Sequence, residues 1–255
     1  MRDIAISILN KNILEITKYE GDAKPSKKIS ASMFDSEPLQ IYYRIKYGVL
    51  NDQNMIQENT LGSLTQKGLD ELADLEDFYE AKVRREIKYK DWIISAETDL
   101  IDLENKAIVD FKVTKEYTYK KFNQNHQYAW QVRLQDYIFR KTNTIDNDYD
   151  LYVYMFLKDV RQDTRGIKPI NAVIQVNRVD DEEIEAKLDG IIELIDSWLE
   201  DESLLTQCSQ LWFRKDKDGN SYPSRCEKYC SYKKVCKFYK ENNSFNAQIN
   251  KLSWD

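Results

Sequence analysis

A single histidine stands among 255 residues. That excludes His-rich metal centres and leaves any Ser-His-Asp or Cys-His mechanism dependent on His126. Seven glycines and four prolines are too few for long disordered linkers, collagen-like repeats or low-complexity segments. No apolar run approaches the roughly 20 residues that span a bilayer, so no membrane partner is expected. The first twenty residues carry an acid at Asp3 and no small-residue cleavage site. No secretory signal is therefore expected, and a cytoplasmic location is. Without secretion, the four cysteines are not expected to form disulfides. What is present is a composition with 42% apolar and 32% charged residues, enough for one large domain or a domain with an appendage.

The net charge of −6 argues at first against nucleic acid, but it hides a segregation. Residues 180–202 hold eleven acids and one lysine, residues 82–90 hold five bases and one acid, and residues 211–240 hold nine bases and three acids. Association follows the local field rather than the sum, so a basic cleft can coexist with an acidic back.

Along the chain, Pro38 opens a short helix, Leu39 to Tyr47, because its fixed φ suits a first turn. Leu61, Leu64, Leu69, Leu72 and Leu75 follow helical spacing and predict a helix from about Ser63 to Phe78. Strands are expected at Val83–Lys90, Trp92–Ile101, Lys106–Thr114, Leu151–Leu157 and Asn171–Val176. Lys115–Asn125 lacks an apolar period and reads as a loop, while His126–Lys141 reads as a helix. Asp180 opens a long helix with the stripe Ile184, Leu188, Ile191, Ile195, Trp198 and Leu199. From Ser203 the chain is basic and cysteine-bearing. The order predicts an α/β core over 1–202, with a mixed central sheet flanked by helices, and an extension over 203–255 packed on it.

The chemistry concentrates in a hairpin, Glu97 to Lys112. With its turn centred on Glu104-Asn105, Asp99 falls directly opposite Asp110. Opposed residues on antiparallel strands have Cβ atoms about 4.5–5.5 Å apart, where like charges repel. The period of two puts Lys112 on the face of Asp110, and Val109, Phe111 and Val113 on the other. Two facing carboxylates with an ammonium beside them suit a divalent cation, and Mg²⁺ would keep positions open for substrate. A one-residue slip in register would separate the pair. Just beyond, Lys115, Tyr117, Tyr119, Lys120 and Lys121 interleave cations that neutralise phosphates with rings that stack on bases. Arg133 and Arg140 on the next helix extend this track. The cysteines Cys208, Cys226, Cys230 and Cys236 form a cluster of soft ligands with C-x3-C-x5-C at its end, which fits Fe–S or Zn²⁺ as well as plain reduced thiols.

These motifs resemble the RecB-like branch of the PD-(D/E)XK nuclease superfamily over roughly residues 30–240. Asp99 matches its central Asp, and Val109-Asp110-Phe111-Lys112 matches the (D/E)-x-K strand. Gly62-Ser63-Leu64-Thr65-Gln66 matches the helix motif with Gln66 where His is usual, and Asp70 stands at the following acidic position, with Glu71 as the competing choice. Gln131-Val132-Arg133-Leu134-Gln135 covers the Q-x-x-x-Y motif with Gln135 in place of Tyr. The resemblance implies a restriction-endonuclease-like fold and metal-assisted hydrolysis of DNA. Asp70, Asp99, Asp110 and the Phe111 carbonyl would hold Mg²⁺ or Mn²⁺, joined by the Gln66 oxygen if that helix contributes. Lys112 would orient or help deprotonate water and stabilise the transition state, and Gln131 would position Lys112 or the substrate backbone. Several relatives use clustered cysteines for a [4Fe–4S] group. With no sequence-reading module in view, an exonuclease working on DNA ends in recombination, repair or phage replication is expected, with a recombinase or helicase as partner. Gln66 and Gln135 raise one alternative, a catalytically silent nuclease fold that binds DNA or serves as a scaffold.

Overall fold

The alternation of apolar and polar residues from Tyr79 onward builds a long hairpin, and everything in the site hangs on its edge. In the computed structural model, which describes residues 26–48, 79–158, 171–209, 213–215, 221–223, 226 and 230–239, it consists of β2 (Tyr79–Tyr89) and β3 (Trp92–Asp102). The remaining strands of the main sheet are β1 (Lys28–Ser30), β4 (Ala107–Thr114), β5 (Asp150–Leu157) and β6 (Asn171–Val176). β2 runs antiparallel to β3 along its whole length. The other edge of β3 is therefore left for two short pairings, a parallel one with β1 through Ile93–Ser95 and an antiparallel one with β4 through Leu100–Asp102. β4 then pairs in parallel with β5 over all eight residues, and β5 pairs antiparallel with β6. The result is a six-stranded mixed sheet.

Helices α1 (Pro38–Tyr47), α2 (Glu116–Lys121), α3 (Gln127–Lys141) and α4 (Asp181–Glu200) complete the main elements, with the short strands β7 (Phe213–Lys215) and β8 (Ser221–Pro223) paired to each other. The chain divides into two compact units. In one, residues 27–36, 79–158 and 171–192 of the described chain, the apolar face of the sheet (Ile29, Ile94, Ile101, Ile108, Val153, Met155) is buried, as is the α3 stripe of Ala129, Val132, Ile138 and Phe139. In the other, described from residues 37–48 and 193 onward, Tyr42 meets Trp198 edge-on at 6.0 Å, and Tyr43 lies 6.0 Å from Tyr232. No described helix is long and apolar enough to cross a membrane.

Three expectations need correction. The segment read as a loop after β4 contains α2. It escapes a periodicity argument because it buries none of its residues. It is supported instead by Glu116 in the first turn, Lys120 and Lys121 in the last, and a 2.9 Å Glu116–Lys120 pair one turn apart. β4 begins at Ala107, because Lys106 takes the left-handed conformation of the turn, φ 49°. In α4 the buried stripe runs Ile184, Leu188, Ile192, Ile195 and Trp198, whereas Ile191 is only half-buried and Leu199 is exposed. The helix expected from Ser63 to Phe78 lies outside the described residues.

Candidate active site

The hairpin that carries the two acids has the register that the sequence suggests. Leu100 pairs with Val109 and Asp102 with Ala107, which places Asp99 opposite Asp110. At that next step the ladder stops. The Asp99 carboxylate takes the position a backbone carbonyl would have held, its Oδ2 accepting the Phe111 N–H at 2.7 Å. The β2–β3 ladder skips one pair at the same level: Lys82, the residue facing Asp99, has φ 50°, a left-handed backbone inside a strand that costs on the order of 1–3 kcal/mol. The β3–β4 ladder ends here, and the two acids stand at the gap it leaves.

α3 lines the opening. Gln131 and Gln135 lie one helical turn apart and face the same way. The Gln131 Nε2 donates to Asp110 Oδ1 at 2.8 Å, and the Gln135 Nε2 donates to the same oxygen at 3.2 Å and to the Glu97 carbonyl at 2.8 Å. Gln135 is fully buried, and its Oε1 has no donor among the described residues. Flipping the amide would set oxygen against two acceptors, so the orientation is determined by its neighbours. Gln135 thus satisfies a β3 carbonyl in the stretch left unpaired between β1 and β4. The same amide holds the carboxylate of β4. Gln135 stands where the family pattern has Tyr, and the gap along β3 explains the amide found there. Gln131, expected near Lys112 or substrate, instead fixes Asp110.

Asp110 is 1% exposed. With Oδ1 held by two amides, Oδ2 is left facing the Lys112 ammonium at 2.6 Å, an ion pair that lacks the alignment of a hydrogen bond. Burial alone would lower the Lys112 pKa, but Asp110 and then Asp99 outweigh it and hold the ammonium above its usual value. The same ammonium lies 5.3 Å from the centre of the Tyr128 ring. Asp99 is pushed up to about 6, first by burial and next by the Asp110 charge, against the pull of Lys112 and of the Phe111 N–H. Two acids that resist shared ionisation, one with an under-used buried oxygen, form a pocket for a cation. In a strand a residue's N–H and C=O leave on the same edge, so the Phe111 carbonyl faces this opening too. No group of three or more Asp, Glu, His or Cys side chains forms a cage among the described residues. Mg²⁺ does not need one, since it keeps several waters beside one or two carboxylates.

The other predicted residues divide. Lys115, Tyr117, Tyr119, Lys120 and Lys121 are all exposed on or beside α2. Arg133 is not, and this corrects its assignment to a DNA track. It is 4% exposed, and its guanidinium donates to the Asn177 and Gln124 carbonyls, each at 2.8 Å, and lies 4.8 Å from the Trp130 ring centre. Arg140 is occupied by Asp136 and Asp181. Asp70, Glu71 and Gln66 lie outside the described residues. Among the cysteines, the Cys208 thiol is pushed up to about 12, mainly by burial, then by Glu37 and by Cys226, Cys230 and Cys236.

The chain belongs to the PD-(D/E)XK nuclease superfamily, whose family model matches residues 26–237. It is accordingly a nuclease by family. Among solved structures it is similar to SSO0001, at 15% identity and a TM-score of 0.56, covering 92% of this chain and 96% of that one. A phage-related exonuclease from Haemophilus somnus 129PT matches at 12% identity and a TM-score of 0.44, covering 69% and 96%. No curated protein matches the chain.

Proposed function

We propose that this nuclease hydrolyses DNA with Mg²⁺ or Mn²⁺, working from strand ends as an exonuclease in recombination, repair or phage replication. One observation carries the reading: Asp99 and Asp110 meet where the hairpin opens, with Lys112 at 2.6 Å from Asp110. Asp99, Asp110 and the Phe111 carbonyl would hold the divalent ion, with Asp70 added by the family resemblance. When bound, such an ion neutralises charge on the scissile phosphate and makes water a better nucleophile. The chain's own groups do the rest. Lys112 presents a positive donor to the oxygens on which charge develops, in a site already shielded from water on its α3 side. Gln131 and Gln135 keep Asp110 turned toward the opening. Water as nucleophile needs no activated Ser or Cys, which suits a chain with one histidine.

The four cysteines are proposed to bind a [4Fe–4S] cluster or Zn²⁺ on the family resemblance and their soft sulfur ligands alone; among the described residues no three of them are gathered as a metal cage. A brown protein absorbing near ~400 nm identifies the cluster, and stoichiometric zinc in colourless protein identifies the other metal.

The catalytic assignment is tested with purified protein, end-labelled linear DNA and Mg²⁺ or Mn²⁺. Wild type degrades the DNA progressively from its ends, while Asp110→Ala and Lys112→Ala still bind it without cutting. Cleavage that survives in both variants rejects the site. The silent-subunit alternative was raised by Gln66 and Gln135; the two bonds that Gln135 makes to the hairpin favour the active reading.

A further inference from the structure

Tyr128, Gln131 and Gln135 are spaced by three and then four residues, so they form one stripe along α3. The two glutamines of that stripe hold Asp110, and Tyr128 lies against Lys112, the next residue on the same face of β4. Three helical residues advance about 4.5 Å and two strand residues about 6.6 Å, so one turn of α3 keeps pace with the step from Asp110 to Lys112. The Lys112 ammonium lies 5.3 Å from the Tyr128 ring centre. Its side chain is 19% exposed and Tyr128 is half-buried, and the attraction between a cation and a ring face is strongest where water is largely excluded.

The ring is itself held in place. The Tyr128 N–H donates to His126 Nδ1 at 3.2 Å, the two rings meet at 4.6 Å with an interplanar angle of 62°, and Phe122 stacks on His126 at 5.2 Å. The need for such an anchor follows from Asp110. Its Oδ1 is taken by two amides, so Oδ2 is the oxygen a divalent ion would use, and Oδ2 is also the one that Lys112 touches at 2.6 Å. A dication on that oxygen would repel the ammonium beside it. A ring face attracts the ammonium without drawing on any carboxylate oxygen.

From this we infer that Tyr128 is a positioning residue for the nuclease reaction, its ring holding the Lys112 ammonium at the opening when Asp110 is committed to a divalent ion. The inference rests on the nuclease reading above and adds to it a residue beyond the two acids, Lys112 and the two glutamines. Tyr128 acts through Lys112, so its loss should slow turnover and leave DNA binding alone.

The test compares Tyr128→Phe, which keeps the ring, with Tyr128→Leu, which keeps apolar bulk without a π face. In EDTA, protein carrying isotope-labelled lysine should show the Lys112 ε-methylene signal, identified by its loss in Lys112→Arg, shifted upfield of the other lysines by the Tyr128 ring current. The signal should stay upfield when Mg²⁺ is added and in Tyr128→Phe, and should join the other lysines in Tyr128→Leu. In cleavage of linear DNA with Mg²⁺, Tyr128→Leu should lower kcat about tenfold with KM unchanged, while Tyr128→Phe stays within about threefold of wild type. In a Lys112→Ala background, Tyr128→Leu should cost nothing further. A wild-type Lys112 signal at the ordinary lysine position, with or without Mg²⁺, overturns the assignment. So does a loss confined to KM, or an undiminished loss in the Lys112→Ala background. The wild-type signal and its response to Mg²⁺ decide the contact whether or not Tyr128→Leu folds, which its melting temperature reports. Absence of any cleavage by wild type defeats the nuclease reading, whereas the lysine signal decides the ring contact by itself.

Discussion

Asp110 and Asp136 are equally buried, at 1% exposure each, yet they are opposite kinds of residue. Asp136 is saturated. Arg178 donates to both of its oxygens, at 2.9 and 2.8 Å, and Arg140 adds a third bond at 3.0 Å. Two fixed guanidiniums in fork geometry leave that carboxylate nothing further to bind. Asp110 receives two neutral amides on one oxygen and a poorly aligned ammonium at the other. Burial of charge is common to a structural lock and a reactive site. What separates them is whether the donors exhaust the acceptor.

That contrast can be broken by substitution. Asp110→Asn should lower cleavage by a factor of about 1000 or more, with little loss of folding stability, since it removes the repulsion with Asp99. Asp136→Asn should do the reverse, costing about 3–5 kcal/mol in denaturant unfolding while the remaining folded enzyme still cuts. If Asp136→Asn abolishes activity in protein that remains folded, the division fails. Lys112→Ala should lower kcat by about 100-fold or more with DNA affinity largely kept, measured by single-turnover cleavage. Gln135→Met, which fills similar volume without a donor, should lower cleavage about 10- to 100-fold and weaken activation by Mn²⁺. A change in stability alone, with the metal titration unmoved, would reduce Gln135 to a packing residue. Mn²⁺ should raise the melting temperature of wild type and of Asp136→Asn, but not of Asp99→Ala or Asp110→Ala.

The smallest expected effect concerns His126. Its Nδ1 accepts the Tyr128 N–H at 3.2 Å and caps α3, so the ring must be neutral there. Burial lowers its pKa, against a weaker opposing pull from Asp35. A base lowered in the folded state contributes stability above its ordinary pKa and loses it as pH falls through the folded value. Unfolding measured from about pH 7 to about pH 5 should therefore show a loss of about 0.5–2 kcal/mol that His126→Asn, a good cap that does not titrate, removes. An identical acid-side loss in that variant would exclude the cap as its source.

Much of this molecule could be read from its residues because the deciding interactions are local. The period of two in Ala107–Thr114 and the polar turn at Glu104-Asn105 are enough to place Asp99 against Asp110, since a hairpin's register follows from its turn. The caps and apolar stripes of α3 and α4 follow likewise from near neighbours. Arg133 and Lys121 show where that ends. Both are cations near aromatic residues in the sequence, and nothing in their spacing says that Arg133 is enclosed by the Asn177 and Gln124 carbonyls while Lys121 stands in water beside Tyr117. Gln135 is the clearest case. Its amide acts on a carbonyl 38 residues away that is unpaired only because β1 and β4 leave a gap along one edge of β3. Sequence determined which strands form and which acids face each other, because those depend on periodicity and turns. The tertiary structure alone decided which polar groups are spent on holding the fold and which are left with capacity for a ligand, because satisfaction of a buried donor or acceptor depends on partners brought from distant parts of the chain.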